Sequence, residues 1–299
     1  MKRDIPFLSR SLMFFPGHRE KLISKAIMSN ADVLLPDLED SVPGNENKLQ
    51  ARGKIIEFAK RGDFNGLQVF PRINDYEHEF FIDEIEELTI EGITGFMCPK
   101  VRDADDINFI DEFIGCVEIN KGIKTGTFKL IPLIETASAV MNINSICQAS
   151  DRIVAIALGG EDFLADTGGI RDFTGNSIFV ARSMIVMAAR ANGINAIDTV
   201  HTDVFDFDDL KRNCHLAKSL GFDGMLVLNP KELPIAHEFF SPTSEEIAQA
   251  HEMLHLSDKA VQEGNGVAVM DGKFIGPPMV TAAEKTIQKW SLIKQKDKK

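Results

Sequence analysis

Two consecutive stretches decide the fold: FKLIPLIETA (residues 128–137) and RIVAIALGGEDF (residues 152–163). Each is a continuous apolar run that ends on an acid, Glu135 in the first and Asp162 in the second. Hydrophobicity that continues rather than alternates means both faces of the strand are covered, as in a parallel sheet packed under helices. An acid at the carboxyl end of such a strand stands at the crevice where these sheets bind ligands. Two acids facing one cleft repel unless they share a cation, and hard oxygen ligands of this kind suit Mg2+. The competing reading makes each acid a cap of the helix that follows.

The same rhythm extends in both directions. Apolar runs at Leu12–Phe15, Val33–Leu38, Leu67–Ile73, Ile93–Cys98, Phe128–Ile134, Ile153–Leu158, Ala196–Val200 and Met225–Leu228 are eight strand candidates. Most are followed by helical spacing, for example Ile55, Ile56 and Ala59 after the second run. Eight such units predict a closed TIM (β/α)8 barrel over residues 1–240. A dinucleotide fold is disfavoured, because no GxGxxG follows any strand. Residues 241–299 then form a C-terminal extension. A capped helix begins near Ser241–Ser244, a hairpin pairs Val267–Met270 with Lys273–Ile275, and a last helix carries Ile287, Trp290 and Ile293. A lid or an inter-subunit contact is its expected use.

Composition narrows the function. With 44% hydrophobic and 26% charged residues the chain reads as an ordinary globular protein. A formal net charge of −12 argues against a nucleic-acid partner. No apolar run reaches membrane-spanning length, and MKRDIPFLSR lacks the apolar core of a signal peptide, so no membrane partner and a cytoplasmic location are expected. Cys98, Cys116, Cys147 and Cys214 are scattered without zinc spacing and read as reduced, buried thiols.

In a barrel the chemistry gathers at the carboxyl ends of the strands. Those ends carry Arg19, then Asp37, Glu39 and Asp40, then Arg72 and Asn74, Lys100, Glu135, Glu161 with Asp162, Asp198 and Asn229. So many charges on one rim must pair or bind something. Arg72 can present a bidentate fork to a carboxylate or 2-oxo acid, and can equally pair with Asp37 or Glu39; the two are compatible. Lys100 is read as a partner of Asp40 or Glu135 rather than a Schiff-base lysine. Glu161 is expected to orient its neighbours without touching the metal. His251 and His255 lack the Glu of HExxH and read as a solvated helix face. No nucleophile elbow supports a serine hydrolase.

These features resemble the citrate lyase β-subunit-like family, also called the HpcH/HpaI aldolase and citrate lyase family of CoA-ester lyases. RSLMFFPGHREKLISKA, DVLLPDLEDSVPG, PRIN, FMCPKV, LIPLIETA, GGEDFLADTG, AARANGINAIDTV, GFDGMLVLNPKEL and FSPTSEEIAQA run in that family's order from about residue 10 to residue 250. The resemblance implies a homotrimeric TIM barrel holding Mg2+ on Glu135 and Asp162. Arg72 would contact the 2-oxo acid, Arg19 and Lys25 the CoA phosphates, and Asp37, Glu39 and Asp40 would line or support the metal site. The implied reaction is reversible aldol cleavage of a citramalyl-, malyl- or citryl-thioester into an acyl-CoA and a 2-oxo acid. Alternatives are a metal-dependent aldolase on a free 2-oxo acid and a non-catalytic homologue. Malyl- and citramalyl-CoA lyases carry a catalytic aspartate in a G-x-M-I-D-x-P stretch. Here DGKFIGPPMV places Gly276 at that position, leaving Asp271 or a water as the candidate acid/base. LNP likewise stands where the family has a histidine before the proline.

Overall fold

The computed structural model describes residues 6–172, 174–263, 267–270 and 272–298, with the side chain of Lys273 left aside. Asp271, the opening residues 1–5 and the terminal Lys299 lie outside the described residues. Two compact units are present, residues 9–238 and residues 6–8 with 239–299.

The larger unit is built on seven parallel strands. They are β1 (Ser11–Pro16), β2 (Val33–Asp37), β3 (Gly95–Cys98), β4 (Lys129–Ile134), β5 (Ala155–Leu158), β6 (Asn195–Asp198) and β7 (Gly224–Val227), in the order β2-β1-β7-β6-β5-β4-β3. Helices follow the strands, as connections between parallel strands require. The strand residues are almost all buried, β2, β3, β5 and β7 completely so, because barrel interior and helical layer each take one face.

The third apolar run behaves differently from the other seven. It pairs with β2 and β3 only through isolated bridges, Leu34 with Val69, Asp37 with Arg72 and Arg72 with Met97. Its hydrogen bonds still run to both neighbours. The Phe70 and Arg72 amides donate to the Leu34 and Pro36 carbonyls, and the Met97 amide donates to Pro71. Pro36 and Pro71 have no N–H, so the ladder is broken at each and regular pairing cannot propagate. The segment nonetheless stands between β2 and β3 as the eighth stave, giving a TIM-barrel-like α/β fold.

Three of the four thiols, Cys98, Cys147 and Cys214, are buried, whereas Cys116 is exposed, and none of the four is in a disulfide. No helix among the described residues is long and apolar enough to cross a membrane.

In the smaller unit, helix Ser244–Gln262 starts with a capping box in which Thr243 and Glu246 satisfy each other's backbone amides. Strands β8 (Ala268–Met270) and β9 (Lys273–Ile275) form an antiparallel pair, and helix Pro277–Lys296 follows. Ala260, Ala268 and Ile275 form its small core, with Met253, Leu256, Met270 and Val280 packed against them. Gly276 is the N-cap of the last helix, in extended backbone with φ −98°.

Candidate active site

The ends of β2, the third stave, β3, β4 and β5 bring seven charged side chains together. Arg72 is the centre of one half. Its Nε donates to Asp37 Oδ1 and Nη2 to Asp37 Oδ2, each at 2.7 Å, a fork-to-fork pair held inside the barrel. Nη1 lies 3.0 Å from Asp40 Oδ2 and 3.0 Å from Glu39 Oε2. The guanidinium also covers the Phe14 ring at 5.0 Å. Burial alone would lower the Arg72 pKa, but the Asp37 pair and the other two acids carry it above its ordinary value. Burial would likewise raise Asp37, and the Arg72 bonds outweigh it and hold the carboxyl low. Arg72 therefore stays charged, with its plane fixed by Asp37.

Asp37 also accepts from the backbone amides of Glu39 and Ser41, which turns the loop after β2 back toward Arg72. A brace behind this loop completes the geometry. Lys48, on helix Asn45–Lys60, donates to the carbonyls of Leu38 and Glu39 and to Asn74 Oδ1. Asn74 Nδ2 donates to the Leu38 carbonyl and to buried Glu84. Burial pushes the Glu84 carboxyl up to about 7 against these bonds.

Glu135 forms the other half. It is 2% exposed, and the Lys100 amide donates to its Oε2 at 2.8 Å. Burial pushes its carboxyl up to about 8; the Lys100 amide opposes this, while the charges of Asp162 and Glu39 add to it. Glu39, also buried, is raised chiefly by burial, with Arg72 and Lys100 working against the shift. Asp162 lies exposed in the first turn of helix Gly160–Thr167. Neither acid is a helix cap. Thr136 caps the helix after β4 by accepting from the Ala139 amide, and Gly159 is the N-cap after β5.

The glycine pair ahead of Asp162 is there for close approach. A Cβ on Gly159 would lie 2.4 Å from Glu135 Cγ, and one on Gly160 would lie 2.6 Å from Thr199 Oγ1, the atom that accepts the Gly160 amide. Helix Gly160–Thr167 is thus seated directly against Glu135.

The remaining expected residues are placed elsewhere. Arg19 is the N-cap of helix Glu20–Ile27 and is exposed. Lys25, on the same helix, lines an open depression with Glu20, Lys21, Ser24 and Met28. Glu161 turns to Arg171 rather than to Glu135. Asp198 is buried in a two-bond pair with Arg182, 2.8 and 2.9 Å. The sequence reading missed Arg182, Lys48, Glu84 and Thr199. Arg182 did leave a signal: it follows Ile178 by four residues and precedes Ile185 and Ala189 on the buried face of its helix.

Two carboxyls, one buried and held by a backbone amide and one at the rim, repel each other and offer only oxygen donors. That donor set fits Mg2+, which keeps several waters and takes one or two protein carboxylates. Among the described residues no group of three or more His, Cys, Asp or Glu side chains could hold a metal. A cation here would consequently keep coordination positions open.

Comparison with known proteins gives the chain its relatives. The HpcH/HpaI aldolase/citrate lyase family model matches residues 10–230. The citrate lyase subunit beta of Leuconostoc mesenteroides subsp. cremoris is 33% identical over 281 residues, covering 94% of this chain and 93% of that protein. The mitochondrial citramalyl-CoA lyase of Homo sapiens is 30% identical, covering 96% of this chain and 87% of the other. Among solved structures, the CitE protein of Mycobacterium tuberculosis in complex with magnesium, acetoacetate and coenzyme A superposes with a TM-score of 0.72 at 27% identity, covering 95% of this chain and 99% of that one.

Proposed function

The chain belongs to the HpcH/HpaI aldolase/citrate lyase family, and from that premise we propose that it is a Mg2+-dependent carbon–carbon lyase. Its substrate is a 3-hydroxyacyl thioester of the citramalyl-, malyl- or citryl-CoA kind, cleaved reversibly to an acyl-CoA and a 2-oxo acid. One observation carries the reading: buried Glu135 is set beside the Asp162 charge, across from an arginine that Asp37 holds in plane.

Glu135 and Asp162 would hold the Mg2+, which when bound supplies Lewis-acid polarisation of the 2-oxo oxygen. Arg72 binds the carboxylate of the 2-oxo acid. Its Nη1 side is where a ligand arrives, since the Asp40 side chain there is 56% exposed while Asp37 is closed off. The fixed guanidinium stabilises negative charge that develops on a nearby carbonyl oxygen during cleavage, without reorganising at that moment. Asp37 positions Arg72, and Glu39 and Asp40 line its outer edge. Arg19 and Lys25 reach the CoA phosphates. Gly276 has no proton to exchange, so the proton step falls to a water or another side chain. Assembly as a homotrimer in the cytoplasm completes the proposal.

The test is an assay of purified protein with Mg2+ on malyl-, methylmalyl-, citramalyl- and citryl-CoA, detecting both acyl-CoA and 2-oxo acid. Cleavage of at least one ester, abolished by EDTA, is expected. Silence across all four with Mg2+ bound would refute the CoA-ester lyase assignment and leave an aldolase on a free 2-oxo acid or a non-catalytic homologue. Light scattering gives the subunit number.

A further inference from the structure

Lys100 is the one non-glycine residue at positive φ among the described residues, at 52°. That conformation costs an L-residue about 1 kcal/mol or more and persists where the surroundings impose it. Here it lets a single residue face two acids. The Lys100 amide donates to Glu135 Oε2 at 2.8 Å, while its Nζ donates to Glu39 Oε1 at 2.6 Å.

Glu39 has few other tethers. Its Oε2 is buried 3.0 Å from Arg72 Nη1, a charge contact that is not an aligned hydrogen bond. Lys100 therefore supplies the directional bond that orients this carboxylate. Glu39 is also close enough to Glu135 for its charge to be felt there. A third acid thus stands next to the two expected metal ligands, turned away by the residue between them.

We propose that Lys100 is a positioning residue that keeps Glu39 out of the cation site, so that Mg2+ is held by Glu135 and Asp162 alone and retains positions for the 2-oxo acid. The inference rests on the assignment of those two acids as the ligands. Its sign is unusual: removing the ammonium frees a carboxylate to join the cation, and added carboxylates tighten divalent binding.

The test is a calorimetric Mg2+ titration of the full-length, substrate-free protein, followed by titration of the Mg2+ form with pyruvate and oxaloacetate. K100M and K100G are expected to bind Mg2+ at least about threefold tighter than wild type, and to bind the 2-oxo acids more weakly. K100R keeps the charge and is expected to remain near wild type. Adding E39Q to K100M is expected to return the Mg2+ affinity to the wild-type level. K100G adopts the left-handed backbone without strain, so it supplies a folded variant should K100M not fold. Unchanged or weaker Mg2+ binding in both K100M and K100G overturns the inference, as does a tightening that survives E39Q. E135Q tests the ligand assignment separately: if it binds Mg2+ like wild type, that assignment fails whatever Lys100 does.

Discussion

Gly159→Ala tests whether Glu135 is held in one place because the metal needs it there. The backbone does not forbid alanine, since Gly159 sits at φ −86°. The obstacle is steric. The new Cβ would lie 2.4 Å from Glu135 Cγ, 2.8 Å from Oε1 and 3.0 Å from Cδ, whereas ordinary contact begins near 3.4 Å. Something must move by about 1 Å, and Glu135 is buried and tied to the Lys100 amide. Overpacking of this kind costs about 1–3 kcal/mol, a drop of roughly 2–12 °C in Tm for a unit of this size. Metal ligands tolerate displacements of only about 0.2 Å, so Mg2+ affinity is expected to fall about 10- to 100-fold. Calorimetric Mg2+ titration and thermal unfolding with and without Mg2+ read the two effects. Gly53→Ala is the control: nothing lies within 4 Å of a Cβ there, in a helix interior, so it is expected to gain about 0.5–1 kcal/mol without touching Mg2+ binding. The reasoning is refuted if Gly159→Ala melts like wild type and binds Mg2+ equally well.

Glu135, raised to about 8 by burial first and by Asp162 and Glu39 next, holds a proton at pH 7 in the free site. Binding of Mg2+ at pH 7 is therefore expected to release close to one proton, measured by calorimetry in buffers of different ionisation enthalpy, and the release should fade above about pH 8. The linkage sign follows: folded Glu135 keeps a proton that the unfolded chain gives up, so without Mg2+ this group lowers stability as pH rises from the ordinary carboxyl range to about 8. A metal-free Tm that rises over that interval would contradict it. Arg72→Lys keeps the charge and loses the fork, so KM for the 2-oxo acid is expected to rise at least tenfold with Mg2+ affinity within about twofold; unaltered 2-oxo acid affinity would remove Arg72 from that role. Gly276→Asp meets only Pro278 Cδ at 3.7 Å and places a favoured residue at an N-cap, so the variant is expected to fold with a few tenths of a kcal/mol of added stability. If the glycine limits turnover, the variant will also gain citramalyl-CoA cleavage; no gain in the folded variant refutes that link.

What the sequence carried and what it hid have physical causes. The β4 and β5 runs were readable because burial on both faces leaves an unbroken apolar stretch, and the acid that ends it has no place in that core. The third run looked like the others, but Pro36 and Pro71 remove the donors a ladder needs, which no hydrophobic pattern reports. Arg72 was visible as a charge at a strand end, and its pairing with Asp37 followed from the crowding of acids; that it touches all three was not visible. Asn74, two residues on, closes the PRIN stretch with nothing in the sequence to say what it holds. Its partners Lys48 and Glu84 come from two different helices, and only the fold brings them under the Leu38 carbonyl. The left-handed turn at Lys100 left no trace, because glycine, asparagine and aspartate are the residues that announce one.

The charge balance of the barrel mouth explains why these elements belong together. Asp37, Glu39, Asp40, Glu135 and Asp162 are five acids, set against the two cations Arg72 and Lys100. Arg72 and Lys100 both bond to Glu39's side of the cleft, so the excess falls on Glu135 and Asp162. Burial raises the cost of ionising Glu135 and leaves it protonated, which is one way to remove a charge. A divalent cation is the other, and only the second leaves an electrophile in the cleft. The arrangement that makes Glu135 unfavourable to ionise is therefore the one that, on the proposed assignment, favours a doubly charged, oxygen-seeking ion. The same excess of acids would collapse onto that ion if nothing held them apart, and the alternation Asp37, Arg72, Glu39, Lys100, Glu135 holds them apart while a face stays open to substrate.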